Sequence, residues 1–93
     1  MTARFQDVHD PDAVLDYSIE WADWLADGDA LSASTWSVTP SGLSEVASAI
    51  SGTIATVRLS GGAAGVDYTV TNHVTTTGGE EDDRSILLRC RER

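Results

Sequence analysis

The chain contains no lysine, a single cysteine and no long apolar segment, and each absence argues against a class of function. One cysteine, Cys90, excludes an internal disulfide and a zinc site built from four cysteines. No stretch approaches the roughly 18 apolar residues of a membrane-spanning helix, and the first residues lack the apolar core of a secretory signal. These features predict a protein that folds in a reducing cytoplasm and has no membrane partner.

The charge balance is strongly acidic, with fifteen acids, six arginines and a net charge of −9. Such a surface repels phosphates, so we expect no general nucleic-acid binding. Residues 1–83 hold fourteen acids against two arginines, whereas residues 84–93 hold four arginines against one acid. Two interpretations follow for this basic end. It is either ordinary solvated surface or a polar docking surface for a neighbouring protein.

The sequence contains few side chains that could form a catalytic or metal-binding site. A nucleophilic site would need His9 or His73 beside a serine or Cys90, and no base with an orienting partner is apparent in the sequence. The acid-rich segments 23–29 and 80–83 lack the spacing that collects six to eight oxygens around calcium. We therefore predict no enzyme activity, no cofactor and no metal site.

The length of 93 residues predicts one domain, and short alternating segments between turn signals predict that it is all-β. Leu15, Tyr17, Ile19 and Trp21 share one face of the first clear strand, and 26–30 is a turn. The pattern over Leu31–Val38 predicts the next strand. Leu31 and Trp36 would lie on opposite faces of a regular strand, which indicates a bulge between them. Residues 43–50 show both helical spacing and weak strand character, and we favour a strand.

The second half alternates more clearly. Val57 lies on the core side of one strand, and Tyr68 and Val70 lie on the core side of the long threonine-rich strand that follows. Ile86, Leu88 and Cys90 face the core from the last strand, which forms a hairpin with the threonine-rich strand. The expected core is therefore Leu15, Tyr17, Ile19, Trp21, Trp36, Val57, Tyr68, Val70 and Leu88.

Six or seven antiparallel strands in about 90 residues are typical of an immunoglobulin-like or fibronectin-type β-sandwich. Tyr68, at the start of the penultimate strand, occupies the place of a tyrosine corner, in which the phenol bonds to the backbone of the preceding loop. We expect a single sandwich over residues 13–93, preceded by a polar arm over residues 1–12.

The three tryptophans raise the question of a sugar-binding platform. Trp21 and Trp36 are in phase with core positions, so burial explains them more simply. The alternation along the strands does not indicate whether Trp24 is buried or exposed. With Leu25, it is expected to cover one open end of the sandwich, and its remaining surface is a candidate docking position.

Several segments together resemble a family of small proteins of tailed bacteriophages. They are the DP-x-x-x-LDY run from Asp10, the W-x-x-WL run from Trp21, the STW at 34–36, the LSGG-x-x-G-x-x-Y-x-VTN segment at 59–72 and the DRSI-x-x-R-x-RER end at 83–93. The resemblance runs from about Asp10 to Arg93. Such proteins are described as fibre–tail adaptors with an immunoglobulin-like fold.

The resemblance implies a non-enzymatic virion protein that is assembled in the host bacterial cytoplasm and joins fibres or other components to the tail. Its implied partners are other phage structural proteins of the tail or fibre, or of the portal or capsid, in a symmetric assembly of several copies. The alternatives are a head-associated decoration or joining protein and a carbohydrate-binding receptor module. Arg89, Arg91, Arg93 and Trp24 are the candidate docking residues.

Overall fold

A computed structural model describes residues 4–9 and 12–91 of the chain. Seven strands and no helix occur in these ranges. The strands are β1 (Arg4–His9), β2 (Val14–Glu20), β3 (Leu31–Thr39), β4 (Leu43–Ser51), β5 (Ile54–Gly61), β6 (Asp67–Thr76) and β7 (Glu81–Cys90). The predicted all-β class is confirmed. Within the described ranges, nothing forms a helix with the length and apolar character needed to cross a bilayer.

The strands form two sheets. The first has the order β1-β7-β6-β3, and the second has the order β2-β5-β4. All neighbours are antiparallel except β1 and β7, which run parallel from the Arg4–Ser85 pair to the His9–Cys90 pair. The expectation of purely antiparallel strands is therefore wrong for β1. No hairpin links β1 to β7, so no tight turn forces the two strands into opposite directions.

The sequence predicts a polar arm over residues 1–12, and within that range the structure places the strand Arg4–His9 in the first sheet. Backbone hydrogen bonds to β7 hold this strand, and such bonds do not require an alternating apolar pattern. His9 is buried, and its Nδ1 lies 2.6 Å from the Tyr17 hydroxyl. Residues 1–3, 10 and 11 lie outside the described residues.

The core lies between the sheets and follows the alternation of β2, β5, β6 and β7. Its buried members include Tyr17, Ile19, Trp21, Val57, Tyr68, Val70 and Leu88. Trp36 is half-buried and packs against this cluster. Leu15, expected in the core, is 38% exposed, so that expectation is wrong. Leu15 lies near the start of the edge strand β2, where neighbouring side chains cover only part of it.

Two irregularities explain where alternation is poor. A register shift between Leu31 and Ala33 is the bulge that the sequence predicts in β3. A second shift between Glu45 and Ala47 interrupts β4. Residues 43–50 thus form a strand, as favoured, and the bulge together with the exposure of most of β4 accounts for their mixed pattern.

The predicted tyrosine corner is present. The Tyr68 hydroxyl accepts a hydrogen bond of 2.9 Å from the backbone N–H of Ala63, five residues upstream. Gly42 lies against the same ring with φ of 143°, and a Cβ there would come within 2.7 Å of the hydroxyl oxygen. A side chain at position 42 would therefore displace the phenol from the β3–β4 turn.

Removing a large core side chain should destabilise the sandwich. We expect Trp21→Ala or Tyr68→Ala to lower the free energy of unfolding by about 3–5 kcal/mol, because each leaves a cavity in a small core. Val14→Ala is the control, since Val14 is 57% exposed, and it should change stability by less than about 0.5 kcal/mol. Urea unfolding measures all three. Equal stability of the Trp21 and Val14 variants would contradict the assignment of the core.

Candidate docking surface

Two arginines lie at the C-terminal end of β7, Arg89 within the strand and Arg91 just after it. Arg89 is exposed, and its partners in register are Val8 of β1 and Asp67 of β6. The Arg91 guanidinium lies 3.2 Å from the Asp67 carboxylate and also donates to the Cys90 carbonyl at 2.7 Å. One carboxylate therefore offsets part of a local basic cluster made by Arg89 and Arg91. Arg93 lies outside the described residues.

Arg84 was grouped by sequence with the exposed basic residues, and the structure buries it instead. Its side chain is 5% exposed, and its guanidinium carbon lies 4.3 Å from the ring centroid of Trp21. The guanidinium donates to the Glu20 carbonyl at 2.8 Å and to the Asp23 carboxylate at 3.0 Å. A signal was present in the sequence, because Arg84 shares the phase of Ile86, Leu88 and Cys90 along β7.

Asn72 is the second buried polar residue that the sequence reasoning missed. It accepts a hydrogen bond of 2.9 Å from the Trp21 indole N–H. Its own amide donates to the Ser34 hydroxyl at 2.7 Å and to the Thr35 carbonyl at 3.1 Å. Asn72 has the same phase as Val70 and Val74 on β6, which again indicated an inward position. Asn72 therefore links Trp21, which directly follows β2, to β3.

Trp24 closes one end of the core rather than standing free. Its ring packs edge-on against Trp21 with centroids 5.1 Å apart, and Leu25 packs beside it. The backbone N–H groups of both Trp24 and Leu25 donate to the Trp21 carbonyl, which turns the chain over the core. Because Trp21 is buried and Trp24 and Trp36 are half-buried, the three indoles do not form an open, flat platform.

The outer face of the β6–β7 hairpin carries an imidazole held between two carboxylates. Nδ1 of His73 lies 2.5 Å from Asp83, its cross-strand partner, and Nε2 lies 2.7 Å from Glu81. The hydrogen bond to Asp83, followed by that to Glu81, raises the pKa of His73 above its ordinary value of 6.5. Both ring nitrogens therefore face carboxylates, and neither is directed at a nucleophile.

The Asp29 carboxylate stabilises a contact between two loops. Asp29 accepts hydrogen bonds from the Thr77 hydroxyl and the Ala30 N–H, and these bonds lower the pKa of its carboxyl. This contact ties the β2–β3 loop to the β6–β7 turn. In the part of the chain that the structure describes, no three His, Cys, Asp or Glu side chains are grouped so that they could hold a metal ion.

The buried guanidinium of Arg84 should contribute to folding. We expect Arg84→Met to lower the free energy of unfolding by about 1–3 kcal/mol, because the Glu20 carbonyl loses its buried donor. Arg89→Met removes the same charge at an exposed position and should cost less than about 0.5 kcal/mol. Thermal and urea melts compare the two variants, and equal losses would show that the buried contacts of Arg84 do not stabilise the fold.

The environment of His73 should be visible in its titration. By NMR, its pKa should exceed 6.5, and Asp83→Asn should bring it closer to that value. Because folding raises the pKa of His73, the charged imidazole contributes its full stabilisation of the folded state below pH 6.5. This contribution is lost as the pH rises through the pKa that His73 has in the folded protein. The stability difference between the parent and His73→Gln should therefore shrink as the pH rises. An unchanged difference would contradict the paired imidazole.

A comparison with known protein families shows which family the chain belongs to. A family described as "Podophage GP4 fiber-tail adaptor protein gp77" matches residues 9–89, from the end of β1 nearly to the end of β7. No curated protein matches the chain. The family match confirms the resemblance to phage fibre–tail adaptors that the sequence motifs indicated. The chain therefore belongs to the podophage GP4 fiber-tail adaptor protein gp77 family, whose members are structural adaptors associated with the phage tail.

Proposed function

We propose that this protein is a non-enzymatic adaptor that attaches fibres or other appendages to the phage tail. The observation that carries the proposal is the family match over residues 9–89. An adaptor needs a rigid body that presents docking surfaces, and the two packed sheets supply such a body. No step of this role requires bond chemistry, a cofactor or a metal.

The body is proposed to be an immunoglobulin-like sandwich. Support comes from the strand order β1-β7-β6-β3 facing β2-β5-β4, in which the last two strands form a hairpin in the sheet opposite β2 and β5. The Tyr68 hydroxyl bond to Ala63, at the start of the penultimate strand, is a second feature of such sandwiches.

We assign the docking surface for a tail or fibre protein to the basic end of β7. Arg89 is exposed there, and Arg91 is half-buried and pairs with the carboxylate of Asp67. On a chain with a net charge of −9, this is where an acidic partner surface is attracted. Several copies around a symmetric tail would add weak contacts by multivalency. Assembly would take place in the bacterial cytoplasm before the virion is released.

Loss of the basic end should weaken assembly without unfolding the protein. We expect Arg89→Gln with Arg91→Gln to leave the melting temperature nearly unchanged, because exposed ion pairs contribute at most about 1 kcal/mol. The same variant should enter particles less well, with the largest deficit at low salt, where charge attraction is least screened. Quantitative immunoblotting of purified particles measures incorporation.

Arg58→Gln is the matched control, because Arg58 is exposed and pairs with Asp16 on the second sheet, away from β7. It should leave incorporation unchanged. Equal incorporation of the Arg89/Arg91 variant at every salt concentration would contradict the docking surface. Electron cryomicroscopy of intact particles tests the role itself, since density for this fold on the capsid alone would favour the head-associated alternative.

A further inference from the structure

The outward side chains of β7 carry opposite charges at the two ends of the strand. Every second residue from Glu81 to Arg91 points away from the core, because the residues between them share the inward phase of Ile86 and Leu88. In order along the chain, the outward residues are Glu81, Asp83, Ser85, Leu87, Arg89 and Arg91. Two acids therefore come first, two uncharged side chains lie in the middle, and two bases come last.

This order of charges is complementary to itself when the strand is reversed. Measured from Ile86, Glu81 lies as far to one side as Arg91 lies to the other, and Asp83 lies as far as Arg89. Two such faces that meet with their β7 strands in opposite directions would bring each acid of one copy opposite a base of the other.

The outward face of β6 has the same property at the same level of the sheet. Val70 is the register partner of Ile86, and the β6–β7 hairpin is paired without a register shift over its whole described length. The outward residues on either side of Val70 are Asp67, Thr69, Thr71 and His73. Reversal of this strand about Val70 places the Asp67 carboxylate opposite the His73 imidazole, and it places one threonine opposite the other.

The middle of this face satisfies a further requirement of a two-fold contact. A residue near a two-fold axis meets its own copy, so a charge at that position would face a like charge. Here the central side chains are uncharged, and the hydroxyls of Thr71 and Ser85 already bond to each other at 3.0 Å. Leu87 beside them is half-buried, so its remaining apolar surface is available for contact.

The two signs of charge also indicate which partner fits the whole face. A partner surface with charges of one sign would be attracted at one end of the hairpin and repelled at the other. A matching surface has to carry both signs in the reverse order, and a second copy of this chain does so.

We propose that in the free protein a second copy covers the outward face of β6 and β7, related by a two-fold axis at the level of Val70 and Ile86. β7 of each copy lies across β7 of the other in the opposite direction, so that Asp83 of each copy meets Arg89 of the other. The inference rests on the docking surface proposed above, and it adds that a second copy competes with the tail or fibre protein for the basic end of β7.

The contact should be weak enough to exchange during assembly. It involves two strands of 10 residues each, and such an area is at the small end of specific interfaces. Each copy also has a net charge of −9, so the ion pairs across the axis have to outweigh a general repulsion. Because the contact is between identical surfaces, it closes at two copies.

Sedimentation velocity of the full chain, over concentrations that reach the millimolar range, tests the contact. The parent should form a dimer. Arg89→Asp and Asp83→Arg should each weaken self-association about tenfold or more, because each variant places like charges together twice across the axis. An equimolar mixture of the two variants should associate, since the bases of one variant then meet the acids of the other at both places.

Arg58→Asp and Asp16→Arg are the matched controls. They make the same changes of charge on the second sheet, where Arg58 and Asp16 pair with each other. Both control variants should dimerise nearly as the parent does. Circular dichroism checks that every variant is folded.

A second pair of variants is needed because Asp83→Arg removes a hydrogen bond to His73 and could unfold the hairpin. Glu81→Arg and Arg91→Asp make the corresponding exchange at the outer pair of positions. They should show the same behaviour, in which each variant alone dissociates and the mixture associates.

A parent that stays monomeric at every concentration would overturn the proposal. So would a mixture of Arg89→Asp and Asp83→Arg that associates no better than either folded variant alone. Incorporation into particles distinguishes this result from the role of the basic end in attachment. Asp83→Arg keeps the basic end and should enter particles at least as well as the parent, whereas Arg89→Asp should enter poorly.

The two proposals can therefore fail separately. A parent that dimerises, with an Arg89→Asp variant that loses the dimer but enters particles normally, would support the dimer and contradict the docking surface for the tail. A monomeric parent whose Arg89→Asp variant enters particles poorly would remove the dimer and retain the docking surface.

Discussion

Trp21 connects the two sheets, and much of the structure depends on how its ring is held. The indole N–H is donated to Asn72 of β6, one face of the ring lies under the Arg84 guanidinium of β7, and its edge meets Trp24. Burying an indole, an amide and a guanidinium together is favourable only when their polar atoms find partners. Here the Glu20 carbonyl, Asp23 and Ser34 supply those partners.

That arrangement also positions the loops. The chain leaves β2 at Glu20, and the contacts of Arg84 with Glu20 and Asp23 draw the following turn against β7. Trp24 and Leu25 then cover the end of the core. At the other end of the same loop, Asp29 is tied to Thr77 in the β6–β7 turn. The acidic residues between 20 and 29 are thus partly structural, and their number does not by itself indicate a ligand site.

The charges of the chain are unevenly distributed. The basic end of β7 is the surface that we propose for an acidic partner, because Arg89 and Arg91 lie there on a chain with a net charge of −9.

The sequence by itself determined the all-β class, the hairpin of β6 and β7, the bulge in β3 and the family, because period-two alternation and turn residues are local signals. It also placed Tyr68 correctly, since a tyrosine corner involves residues close in the chain. Only the tertiary structure decided the parallel pairing of β1 with β7, the exposure of Leu15 and the polar partners of Arg84 and Asn72, whose strand phase indicates an inward position. Those features depend on which distant groups meet: a guanidinium at an inward position is stable only beside an indole and a carbonyl that the fold brings to it.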